Sequence, residues 1–172
     1  MINFYRENIK DAATIQAPLN TYLHNIKKRD KTKIDWTAES SQAYEACKES
    51  IKNAALLAHP SHHATLAIFS DASDKTAGAA LNQFVNNTWQ PLGYFSKKFS
   101  DAQTRYSTYD RELLAIYMAV KHFRKMFEGR EIIIFTDHKP LTFAYTKSNT
   151  NSESPRRTRQ LLYISEFTTD IR

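Results

Sequence analysis

Three carboxylates stand where a metal-dependent hydrolase of phosphodiesters would need them. Asp71 follows the apolar run Leu66-Ala67-Ile68-Phe69, Asp137 follows Ile132-Ile133-Ile134-Phe135, and Glu112 lies in a long amphipathic segment between them. An acid just past a buried strand sits at the carboxyl edge of a sheet, the usual place for ligand sites in open α/β sheets. Two-metal hydrolysis needs several carboxylates that hold Mg²⁺ or Mn²⁺ about 4 Å apart, one ion activating water and the other stabilising the leaving oxygen. Oxygen ligands suit these hard cations, so neither histidine nor thiolate is required. For any one of the three residues, an acid that simply starts a turn is the plainer reading. The joint pattern of two strand ends and a helix is what points to a metal site.

The elements that would position these acids are legible in the periodicity. Strand-like segments at 64–70, 77–86 and 90–96, separated by short polar pieces, imply antiparallel hairpins. Residues 108–128 form the clearest helix: Ser107 with Asp110 resembles a capping box, Leu113, Ile116, Tyr117, Val120, Phe123 and Phe127 make an apolar stripe, and Gly129 supplies the stop. A buried strand at 131–136 follows directly, so strand, helix and strand make a right-handed crossover with a parallel pair. Asp71 and Asp137 would then end neighbouring parallel strands, with Glu112 one turn into the crossover helix. Short helices are expected at 140–145 and 154–164 and a last strand at 167–171. Upstream, residues 4–26 read as one or two short helices broken at Pro18, and 37–57 as a helix capped by Thr37 and closed by Pro60. The turn-like Ser61-His62-His63 marks a domain boundary, dividing a helical segment, 1–60, from the unit carrying the acids, 61–172.

The 172 residues are 41% hydrophobic and carry a net charge of +6, a globular composition whose basic excess, spread along the chain, favours a polyanionic partner. The single cysteine, Cys47, excludes an internal disulfide, and no Cys/His spacing matches a zinc site, which fits a reducing, intracellular setting. No stretch approaches the ~18 apolar residues of a membrane span, and the first residues lack a signal-peptide pattern. The reading is therefore a cytoplasmic or nuclear protein without a membrane partner.

Four motifs carry a specific resemblance. Phe69-Ser70-Asp71-Ala72-Ser73-Asp74-Lys75-Thr76-Ala77-Gly78-Ala79-Ala80-Leu81, Pro91-Leu92-Gly93-Tyr94-Phe95-Ser96-Lys97-Lys98-Phe99, Tyr109-Asp110-Arg111-Glu112-Leu113-Leu114-Ala115-Ile116 and Phe135-Thr136-Asp137-His138-Lys139-Pro140-Leu141 resemble, in order and spacing, the ribonuclease H domain of reverse transcriptases from gypsy-type long-terminal-repeat retrotransposons. Ile2-Asn3-Phe4-Tyr5-Arg6, Ala17-Pro18-Leu19, and Trp36 followed by Ala43-Tyr44 and Cys47-Lys48 resemble the end of the polymerase thumb and its connection, so the likeness covers almost the whole chain.

The resemblance implies an α/β fold, a ribonuclease H-like five-stranded mixed sheet with flanking helices, preceded by a small helical segment. It implies hydrolysis of the RNA strand of RNA/DNA hybrids with Mg²⁺ or Mn²⁺ held by Asp71, Glu112 and Asp137. The partners would be the hybrid and the polymerase and integrase parts of a Pol polyprotein. The family's fourth acid belongs to a Val-Ala-Asp-Ala-Leu-Ser-Arg motif after the last strand. These 172 residues do not contain it, Asp170 does not match it, and the unit reads as incomplete at its C-terminus. No Tyr-x-Asp-Asp polymerase signature occurs either. The alternative is a catalytically inactive, truncated or domesticated remnant that binds nucleic acid or protein.

Further candidates are weaker. Ser73 could meet the RNA strand, where the 2′-hydroxyl distinguishes it from DNA, or could simply form a turn. His138 could assist proton transfer or cap the next helix. Lys97, Lys98, Arg105 and Arg111, with a second cluster at Arg156-Arg157-Thr158-Arg159, are candidates for phosphate contacts or for solvated surface charge.

Overall fold

The computed structural model describes residues 8–23, 33–52, 57–144 and 154–172. Four strands form one mixed sheet: β1 (Thr65–Ala72), β2 (Thr76–Val85), β3 (Thr88–Lys98) and β4 (Ile132–Thr136), in the order β3-β2-β1-β4. β1 and β2, and β2 and β3, are antiparallel, as the short spacers require. β4 lies parallel to β1. The β2–β3 hairpin turns on Asn86 and Asn87, both at positive φ, the left-handed pair that a two-residue hairpin needs and that asparagine tolerates. On the outer strand β3 the register slips beside Leu81/Asn82, where Pro91 follows Asn82 across the ladder; proline is admissible there because an edge strand can forgo an amide.

Six α-helices lie among the described residues: α1 (Ala12–Asn20), α2 (Ala38–Lys52), α3 (Asp101–Thr104), α4 (Thr108–Phe127), α5 (Lys139–Thr142) and α6 (Pro155–Ser165). α4 is the core element. Ser107 Oγ accepts the Asp110 amide at 3.2 Å, and Gly129 at φ +80° lies just beyond its end. Between them Leu113, Ile116, Val120, Phe123 and Phe127 are buried in one cluster with Leu66, Ile68, Leu81, Ile132 and Ile134 of the sheet. Full burial of each such side chain is worth about 1.5–3 kcal/mol, so this interface fixes where α4 lies on the sheet.

Strand alternation sends Leu66 and Ile68 to α4 and Phe69 to the other face. There Phe69 and Phe135 stack at 4.8 Å between centroids, and Trp89 packs edge-on against both.

α6 lies along α4, with Tyr163 against Tyr117 and Phe167 against Phe127. Its arginines clamp the start of α4. Arg157 gives Asp110 two hydrogen bonds, 2.7 and 3.0 Å, Arg156 adds an ion pair at 3.0 Å, and the guanidiniums lie over the rings of Tyr106 and Tyr109. The Arg157 guanidinium, with help from Ser107 and Arg156, holds the Asp110 carboxyl well below the usual carboxylate range.

Two expectations are corrected. Pro18 does not split α1, which carries the proline in its last turn and ends two residues later; the rest of the 4–26 expectation, at 4–7 and 24–26, lies outside the described residues. The segment at 167–171 is not a full fifth strand. The amides of Phe167 and Thr168 turn back to Ile164 O, so only Asp170–Arg172 reach β4, through three backbone bonds and a parallel bridge at Ile171. The short capped helix α3, with Ser100 and Gln103 as a reciprocal box, had no sequence counterpart.

Elsewhere agreement is close. Thr37 Oγ1 accepts the Ser40 amide and caps α2; residues 53–56 of the helix expected at 37–57 and Tyr145 of the one expected at 140–145 lie outside the described residues. No helix among the described residues is long and apolar enough to cross a membrane.

Asp110→Ala is expected to lower stability at pH 7 by about 3 kcal/mol, because it leaves partly buried guanidiniums without their counter-charge. The folded value of Asp110 lies below its unfolded one, so its contribution is present above about pH 4 and is lost as pH falls below that. Urea titrations of the variant and wild type should therefore converge in acid.

Candidate metal centre

The parallel ladder pairs Phe69 with Phe135 and Ser70 with Thr136, so Asp71 and Asp137, each one residue further on, lie side by side where the β1–β4 pairing ends. Glu112 arrives from the first turns of α4. One carboxylate oxygen from each of the three lies within 4.8 Å of the others, so the three acids form one group that could hold a divalent cation between them.

Their environments differ. Asp71 and Asp137 are exposed. Glu112 is 3% exposed, with Oε1 accepting the Ala72 amide at 3.2 Å and Oε2 buried without a hydrogen-bond partner. Burial, reinforced by the negative charges of Asp137 and Asp71, pushes the Glu112 carboxyl up to about 7, against the pull of the Ala72 amide and Arg111. An orphaned buried carboxylate oxygen is costly. A hard divalent cation is the group that an all-oxygen donor set of this kind satisfies.

The remaining sequence candidates are not all brought to this point. Ser73 forms the β1–β2 turn: its Oγ accepts the amides of Thr76 and Lys75 and bonds the Thr76 hydroxyl. Arg111 is also committed, pairing with Asp74 at 2.6 Å and donating to the Tyr106 carbonyl, so it ties that turn to the start of α4. Arg156 and Arg157 form the Asp110 clamp, and Arg159 donates to Pro155 O. Lys97 and Lys98 are exposed at the tip of β3, across from Ala77 and Thr76. Two strand spacings, about 10 Å, separate β3 from β1. Arg105 is exposed after α3, its Nε donating to Asp101 O. His138 is half-buried beside Asp137, edge-on to Tyr109 at 5.8 Å.

What the sequence reading missed is an open cleft of about 860 Å³ on the aromatic face of the sheet. It runs from Trp89 past Phe69 and Phe135 to Asp71 and Asp137, and is also lined by Lys10, Asp11 and Arg172. The signal was present: Phe69 shares its strand parity with Asp71, and Phe135 with Asp137, so the aromatics and the acids belong to one face.

Residues 36–134 match the model of the RNase H-like domain found in reverse transcriptase. The chain belongs to this family. Among curated relatives, this RNase H-like chain is 33% identical over 167 residues, 96% of its length, to the retrovirus-related Pol polyprotein from transposon 412 of Drosophila melanogaster, of which it covers 13%. It is 32% identical over 173 residues, 99% of its length, to the transposon Tf2-3 polyprotein of Schizosaccharomyces pombe, of which it covers 12%. The chain thus spans about an eighth of these relatives.

The fold of the RNase H-like chain is that of foamy viral protease-reverse transcriptase structures. One, in complex with double-stranded DNA, superposes with a TM-score of 0.74 at 18% identity over 99% of this chain and 35% of that one. Another, in complex with an RNA/DNA hybrid, gives 0.72 at 18% identity over 96% of this chain and 22% of that one.

The raised value of Glu112 sets a testable pH dependence. Ionising a carboxyl whose folded value exceeds its unfolded one weakens the fold, progressively from about pH 4.5 to 7 and fully above that, by about 3 kcal/mol. In metal-free protein, Glu112→Gln should therefore be more stable than wild type at pH 8 and equal to it at pH 4, read by urea denaturation.

Proposed function

We propose that this domain hydrolyses the RNA strand of RNA/DNA hybrids, using Mg²⁺ or Mn²⁺ at Asp71, Glu112 and Asp137, as the RNase H module of a retroelement reverse transcriptase. The observation that carries this reading is the convergence of the three carboxylates around the unsatisfied Glu112 Oε2. The Pol polyprotein relatives and the reverse transcriptase fold support it. When bound, divalent cations would supply the activation of water and the stabilisation of the leaving oxygen.

The chain's own residues do the rest. Asp71 and Asp137 face solvent and offer the accessible oxygens, while the Ala72 amide orients Glu112 from behind. Lys97, Lys98 and Arg105 make sequence-independent phosphate contacts that hold the duplex backbone. His138, next to Asp137, is the group for proton transfer at the edge of the site. Ser73 serves the RNA strand through the turn it builds, its hydroxyl being engaged there. Residues 1–60 are the end of a thumb and connection, 61–172 the nuclease unit, and the partners are the polymerase and integrase parts of a longer Pol product.

With a labelled RNA/DNA hybrid and Mn²⁺, the wild-type chain should release RNA fragments. Asp137→Asn should lower that rate by more than about 100-fold, since even outer-shell partners of a metal are worth 10–100-fold, while fluorescence anisotropy shows the hybrid still bound. Binding without cleavage in the wild type, unchanged by the substitution, would instead identify a silent binding module.

A further inference from the structure

We propose that Tyr109 is a positioning residue of the cation site, holding the helical turn that carries Glu112 against the strand end that carries Asp137. This rests on the metal-site reading above and adds a side chain that acts through its ring and not as a ligand. Tyr109 and Glu112 are three residues apart on α4, neighbours on a helix surface with Cβ atoms about 5–6 Å apart. The Tyr109 ring meets the His138 imidazole edge-on, 5.8 Å between centroids at 68°, and His138 follows Asp137 directly. One half-buried ring thus stands between the turn that aims one acid and the residue next to another.

Both partners of the ring are themselves fixed. On the α6 side, the Arg157 guanidinium lies 4.8 Å from the Tyr109 ring centroid. It is held flat by paired bonds to Asp110, Nε to Oδ1 and Nη2 to Oδ2, while Ser107 Oγ donates to Asp110 Oδ2 at 2.8 Å. Such a fork fixes the plane of the guanidinium, which a lysine cannot reproduce. On the strand side, the His138 amide donates to Thr136 Oγ1 at 3.2 Å. The His138 side chain makes no cap bond to α5, so that helix does not draw the imidazole away from Tyr109. Beneath, Tyr109 rests on the apolar cluster shared by α4 and the sheet. The stack of Arg157, Tyr109 and His138 therefore runs from α6 across the start of α4 to the end of β4, and sets the approach of Glu112 to Asp137 with groups that carry no negative charge.

The test is Mn²⁺ binding by the full chain, measured by titration calorimetry well below the melting temperatures that each variant shows in EDTA. Wild type should bind and Asp137→Asn should lose binding. Tyr109→Ala should bind about tenfold more weakly, the low end for a group that orients metal ligands, and Tyr109→Phe, which keeps the ring, should bind like wild type. Arg157→Lys, which keeps the charge without the planar fork, should weaken Mn²⁺ in the same direction and decides the matter if Tyr109→Ala folds poorly. If Tyr109→Ala and Arg157→Lys melt earlier but titrate like wild type while Asp137→Asn does not bind, Tyr109 only packs the fold: its assignment falls and the three-carboxylate site stands. Equal weakening in Tyr109→Phe and Tyr109→Ala overturns the role of the ring. If wild type binds no Mn²⁺, the positioning role and the metal site both fall.

Discussion

The parallel pairing of β1 with β4 is the constraint on which the rest of the molecule depends. A one-residue slip in that register would send Asp137 to the opposite face from Asp71, because side chains alternate along a strand. The slip is prevented on the helix side, where Leu66 and Ile68 of β1 pair with Ile132 and Ile134 of β4 and all four are buried under α4. On the far side the stacked rings of Phe69 and Phe135 repeat the same register. The apolar core thus sets the distance between two charged groups that do not themselves hold the strands together.

That arrangement is under electrostatic tension. Three carboxylates within 4.8 Å, one of them buried, oppose folding, and the structure meets the cost with fixed groups around the site. Arg111 ties the β1–β2 turn to α4 through Asp74 and the Tyr106 carbonyl, and Asp110, two residues from Glu112, is locked by Arg157 and Arg156. These contacts leave Glu112 little freedom to turn its unsatisfied oxygen toward water. The acid-rich end of the sheet is therefore preorganised to receive positive charge, which is the general economy of metal and phosphate sites.

Much of this was legible in the sequence because it rests on local periodicity. The hairpins, α4 and its Ser107 cap, and the strand ends at Asp71 and Asp137 follow from alternation, stripe and cap residues, and the motif resemblance reached the same three acids. The parts that were not legible are long-range. Arg156 and Arg157 read as candidate phosphate ligands, since nothing in a sequence shows that a guanidinium will fold back onto Asp110 forty-seven residues away. Pro18 shows the converse, assigned from one local rule and governed by the nearness of the helix end, whereas for Ser73 the turn offered beside the RNA contact is what its bonds to Thr76 and Lys75 build. The last strand failed because the α6 terminus consumed the amides of Phe167 and Thr168.

The proline on β3 has a consequence for how the molecule behaves among its own copies. An outermost strand with a full row of free amides and carbonyls is a template for another chain. Here Pro91 lacks the amide, its carbonyl is taken by Ala58, and the adjoining segment is stitched down as Gln83 bonds His59 O and the Ser61 amide. The opposite margin, β4, is capped by Asp170–Arg172. Both margins are thus partly sealed against strand-by-strand stacking, and a second copy would find few free backbone groups along either edge to pair with.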